Sequence, residues 1–71
     1  MRLNVHLVRE ADGFWLAVVE DWPELVARGA DRLEAFRRVE AKALRTFASW
    51  LEEGRAIPGA PAELALAFSV V

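Results

Sequence analysis

A chain of 71 residues has room for one domain, and at this size folding buries only about 60% of the surface that the unfolded chain exposes. Yet 55% of the residues are hydrophobic, with three Trp and four Phe, which is more apolar surface than a small monomer hides and points to self-association. A net charge of −2, with nine cations scattered among eleven carboxylates, excludes a broad basic face for nucleic acid, and the lack of Cys excludes disulfides, thiolate nucleophiles and Cys-ligated zinc.

In chain order, Leu3, Val5 and Leu7 alternate with Asn4 and His6, the pattern of a half-buried strand. Asp12-Gly13 supplies the positive φ of a tight hairpin. The next run, FWLAVVE, is apolar on both faces: Phe14, Leu16 and Val18 on one, Trp15, Ala17 and Val19 on the other. One helix can cover only one of those faces, so the second meets solvent, a twin subunit or another protein. A third strand is predicted over Glu24 to Arg28, after a Trp22-Pro23 bend, with Pro23 at its start or edge because it cannot donate to a ladder.

Asp31 followed by Glu34 is a capping pair, and helical periodicity runs from about Arg32 to Glu53, with Gly54 as a left-handed stop. At 100° per residue, Leu33, Phe36, Val39, Ala43, Leu44, Phe47, Trp50 and Leu51 share one stripe, with Arg38, Lys42, Arg45, Ser49 and Glu52 opposite. RAIPGAP is a loop, and ELALAFSVV alternates large with small side chains as a last strand. The order βββαβ defines an α+β domain, one antiparallel-dominated sheet packed on a single long helix.

The ordered set of Asp12-Gly13, Phe14-Trp15, EDWPEL at 20–25, GADRLEAF at 29–36 and WLEEGRAIP at 50–58 resembles the N-terminal domain of the HicB-like antitoxin family over nearly the whole chain. Asp21 and Pro23 match the family's bend, as do Gly29, Glu34 and Ala35 at the helix start and Gly54, Ile57 and Pro58 after it. Glu20, Glu24 and Leu25 depart from the common Pro, Gly and Cys, and Asp31 replaces a Thr cap. The resemblance implies a degraded ribonuclease-H-like sheet without nuclease activity, whose partner is a small basic RNA-cleaving toxin. No DNA-binding segment follows the last strand, so operator binding is not carried over.

Each candidate for chemistry has a plainer structural role. A two-metal nuclease needs carboxylates converging from strand and helix, but Glu10 stands at the very end of the first strand, Asp12 suits the hairpin and Asp31 the cap. His6, the only His, stands in no recognisable arrangement with a nucleophile. Glu40, the one charge inside the apolar stripe, calls for a partner such as Arg37 or for an edge position where the sheet stops short. The Arg37, Arg38, Lys42, Arg45 ridge is interrupted by acids and reads as a solvated face. Trp22-Pro23 is either a rigid turn with Trp over the core or a partner anchor flanked by Asp21 and Glu24.

The sequence therefore predicts a cytoplasmic, non-enzymatic module, a homodimer in its own right. It would neutralise a small basic toxin by steric occlusion, through Asp21, Trp22, Glu24 and Trp15, with no catalytic residue, metal, cofactor, direct DNA contact or membrane contact. The alternative is an orphan domain that associates only with itself. The start MRLNVHLVRE lacks the apolar core of a signal peptide.

Overall fold

The sheet grows outward from its first strand. In the computed structural model, which describes residues 1–59 and 65–71, β1 (Arg2–Arg9) sets Leu3, Val5 and Leu7 on one face, with Leu3 and Val5 fully buried. The hairpin follows: Gly13 takes φ 91°, and the Asp12 carboxylate accepts the Phe14 N–H at 3.0 Å. β2 (Trp15–Val19) then pairs antiparallel with β1, from Arg9 opposite Trp15 to Val5 opposite Val19.

β3 (Trp22–Gly29) pairs antiparallel with β2, and β4 (Ala67–Val70) pairs parallel with β1. The spatial order is β3-β2-β1-β4, with α1 (Arg32–Glu52) packed on one face, an α+β fold of order βββαβ. β3 is longer than the expected Glu24 to Arg28. Val18 pairs with Val26 but Val19 pairs with Trp22, so Pro23, Glu24 and Leu25 fall outside the register. Pro23, lacking an N–H, sits in that interruption on an edge strand, where it removes no ladder bond.

The helix starts as the capping pair requires. Asp31 accepts the Glu34 N–H at 2.8 Å, and Glu34 reaches back to the Ala30 N–H at 2.9 Å. It ends one residue before the expected Glu53, which serves as the cap, and Gly54 follows at φ 77°. Of the expected last strand, residues 63 and 64 lie outside the described residues, and pairing begins at Ala67.

The buried line of the helix is rolled away from the stripe that periodicity predicts. Ala35, Val39, Ala43 and Phe47 are buried, whereas Leu33, Leu44 and Leu51 are about half exposed. The cause is a close approach to β3. A Cβ on Gly29 would stand 2.4 Å from the Ala35 backbone nitrogen, so glycine on the strand and Ala35 on the helix let the two backbones nearly touch. With the helix drawn over β3 and β2, its other flank stands clear of β4. The core is Leu3, Val5, Ala17, Val19, Leu25 and Ile57 against that buried line. Among the described residues no helix is long and apolar enough to cross a membrane.

Candidate interaction site

Strand alternation leaves one face of the sheet bare. β1 turns Asn4, His6 and Val8 to that face, β2 turns Leu16 and Val18, and β3 turns Val26 and Arg28; Phe14 continues the β2 row. Register brings them together as His6–Val18–Val26 and Val8–Leu16–Arg28 across three strands. Val8 is 53% exposed and Phe14 40%, while Leu16, Val18 and Val26 are half-buried by one another. The patch is thus a short apolar band between polar ends.

At one end Arg28 donates to Glu10 at 2.8 Å, pairs with Asp12 and lies over the Phe14 ring, 3.9 Å from its centroid. The Glu10 hydrogen bond, with Asp12 adding its charge, raises the Arg28 pKa above its ordinary value. Its linkage sign makes the stabilisation present at every pH below the free guanidinium's range and lost only above it. At the other end Asn4 donates to Glu20 at 3.1 Å, with the His6 ring nitrogen 3.6 Å from the same carboxylate. Arg2 donates to Ser69 at 3.1 Å. The acids and the histidine of this face hold strands together. Among the described residues no three His, Asp or Glu side chains come close enough to share a metal ion.

Beside the Glu20 end lies the turn from β2 to β3. Asp21 and Glu24 project into solvent, with no ion-pair partner among the described residues. Trp22 does not. It is half-buried on the helix side of the sheet, its ring edge-on to Phe47 at 5.4 Å between centroids, and Phe47 in turn meets Trp50 at 5.6 Å. The Trp-Pro pair is therefore a shaped turn that closes the core; Trp22 also borders a shallow groove with Asp21, Arg2 and Pro58. Trp15 lies at the opposite end of β2, about 14 Å away at a strand's rise per residue, half-buried with Arg32 5.5 Å above its ring. The four residues named from sequence are thus two separate places, with Asp21, Trp22 and Glu24 at one and Trp15 at the other.

Two helix residues have a role that sequence reasoning missed. Lys42 donates to the Val26 carbonyl at 3.1 Å and Arg38 to the Arg28 carbonyl at 2.9 Å. Those carbonyls point away from β2, so Lys42 and Arg38, expected on a solvated face, instead close the outer edge of the sheet. The signal was their i, i+4 spacing on the flank next to the buried line, which becomes meaningful only once β3 is known to be an edge. Glu40 has neither the Arg37 partner nor any other ion pair among the described residues. It is half-buried on the flank that stands clear of β4.

The chain matches no protein-family model, no curated protein and no solved structure.

Proposed function

We propose that this domain is an antitoxin-type binding module that neutralises a small basic RNA-cleaving toxin by covering it, with no chemistry of its own. The observation that carries this reading is the pair Asp21 and Glu24. Both carboxylates are exposed and unpaired among the described residues, at the margin of a bare sheet face with an apolar centre. Unpaired acids steer a basic partner toward the surface, and the apolar row that runs from Val18 and Val26 near the turn to Leu16, Val8 and Phe14 at the far end supplies area that becomes dry on docking. The resemblance to the HicB-like family at the same bend supports the choice of partner.

The test is a pairwise one. A candidate small basic ribonuclease toxin is co-expressed with the wild-type domain and with Asp21→Lys/Glu24→Lys, and growth and complex affinity are followed. Rescue by the wild type, lost in the charge-reversed variant while the fold survives by circular dichroism, is the expected result. Trp22→Ala is a poor probe, because it also strips a ring from Phe47. Equal binding by wild type and charge-reversed protein, or rescue that needs neither, overturns the reading.

A further inference from the structure

The ladder between β1 and β4 uses only alternate residues of β4. The Ala67 N–H donates to the Met1 carbonyl at 2.9 Å and the Val71 N–H to the Val5 carbonyl at 3.0 Å. In a parallel ladder that parity gives Ser69 to β1 as well and turns the N–H and C=O of Phe68 and Val70 outward. β4 is the outermost strand on this side, so among the described residues no strand receives them. Among the described residues no side chain hydrogen-bonds to them, in contrast to the outward carbonyls of β3. From Ala65 to Val71 there is not one charged side chain. Val70 and Val71 are 48% and 60% exposed. On the helix side Val70 borders a shallow, mainly apolar groove with Leu7, Leu33 and Phe36, and Arg32 stands at its margin.

We infer that this edge is the surface on which a second copy of the chain pairs, β4 against β4 in antiparallel order about a twofold axis through Ser69. The outward pattern is self-complementary. Placing Phe68 opposite Val70 of the twin and Val70 opposite Phe68 makes both hydrogen-bonded pairs, so the four outward groups of each strand find partners at once. The Phe68 and Val70 side chains then meet as apolar cross-strand pairs on the helix side. Ser69 meets its twin on the other face, where Arg2 already holds its hydroxyl. The strand itself carries no charge, and the like charges nearest the axis are the two Arg2 guanidinium groups, each held on a Ser69 hydroxyl on the bare face. The β3 edge would set twice as many cations, Lys42 and Arg38 of each copy, against one another, and its outward carbonyls are already occupied. A different protein's strand could use the same backbone groups, but nothing here selects one, whereas the twin fits both backbone and side chains. The inference is independent of the antitoxin reading, whose contacts lie at the β2–β3 turn and on the bare face of β1, β2 and β3 rather than on the β4 edge.

The experiment is sedimentation velocity over a concentration series on the wild type, Val70→Pro and Val70→Lys, with circular dichroism of each. Proline at 70 removes an N–H that the monomer does not use, and lysine there sets two cations near the axis at a site already half exposed. A wild-type dimer whose dissociation constant rises by at least about tenfold in the folded variants supports the assignment. Where Val70→Pro loses its fold, Val70→Lys decides. A wild type that stays monomeric, or folded variants that dimerise as tightly as the wild type, overturns it.

Discussion

At the β3 edge, Lys42 and Arg38 reach across from the helix and occupy the outward carbonyls of Val26 and Arg28. At the β4 edge the corresponding groups of Phe68 and Val70 meet no side chain among the described residues, and the strand is neutral throughout. The helix explains both. By closing on β3 through Gly29 and Ala35 it brings its cations to one edge and withdraws from the other, leaving Leu33 and Leu44 half exposed on the far flank. A natural sheet blunts edges that must stay single and leaves plain those that pair. One edge of this sheet is finished within the monomer and the other is not.

The two flanks of the helix should differ most in what a truncation costs. Phe47→Ala removes a fully buried ring that holds Trp22 and Trp50, and should lower stability by about 3–5 kcal/mol, enough to unfold much of so small a domain. Leu44→Ala, one turn away but 46% exposed, should cost well under about 1 kcal/mol. Chemical denaturation of both variants gives the ratio, and equal losses would mean the helix is not rolled toward β3.

Gly29→Ala sharpens the same point through the backbone. Its added methyl would press on the Ala35 nitrogen and Cα, so helix and strand must separate, at a cost of about 1–3 kcal/mol. A thermal melt unchanged by the substitution would contradict the close approach. Comparable in total energy but more telling for the edges is Lys42→Met with Arg38→Met. Each lost bond should cost about 0.5–1.5 kcal/mol, and the uncapped β3 edge should begin to associate. Light scattering that rises with concentration in the double variant, beyond the wild type, is the expected result.

The mildest effect is at Arg28. Arg28→Gln should lower the melting temperature slightly, and the difference should shrink as salt is added, because its carboxylate partners are solvent-exposed pairs. A guanidinium is charged across the working range even without its carboxylate partners, which raise its pKa further, so no loss should appear on the alkaline side.

What could be read from the sequence is what neighbours in the chain decide. Asp12-Gly13 makes its hairpin, Asp31 and Glu34 cap the helix, and Gly54 ends it, each by contacts within a few residues. The element order and the burial of Leu3 and Val5 followed from period alone. The helix roll did not, because a broad apolar stripe offers several faces and the choice fell to Gly29 against Ala35, two residues whose small size says nothing until they are placed together. The slip at Pro23 and the two edges were hidden for a related reason: which strands are outermost depends on the return of β4 beside β1, a pairing made across almost the whole chain. Of the residues singled out for binding, Asp21 and Glu24 are where a partner could reach them, while both Trp rings are partly consumed by packing.

Amide hydrogen exchange by NMR, read at Phe68 and Val70 over a range of protein concentrations, tests the difference between the edges most directly. These two N–H groups should exchange quickly in dilute protein and become protected as concentration rises, while the outward Val26 N–H on the β3 edge should exchange quickly throughout. Protection at Val26 that grows with concentration, with Phe68 and Val70 remaining fast, would contradict that difference.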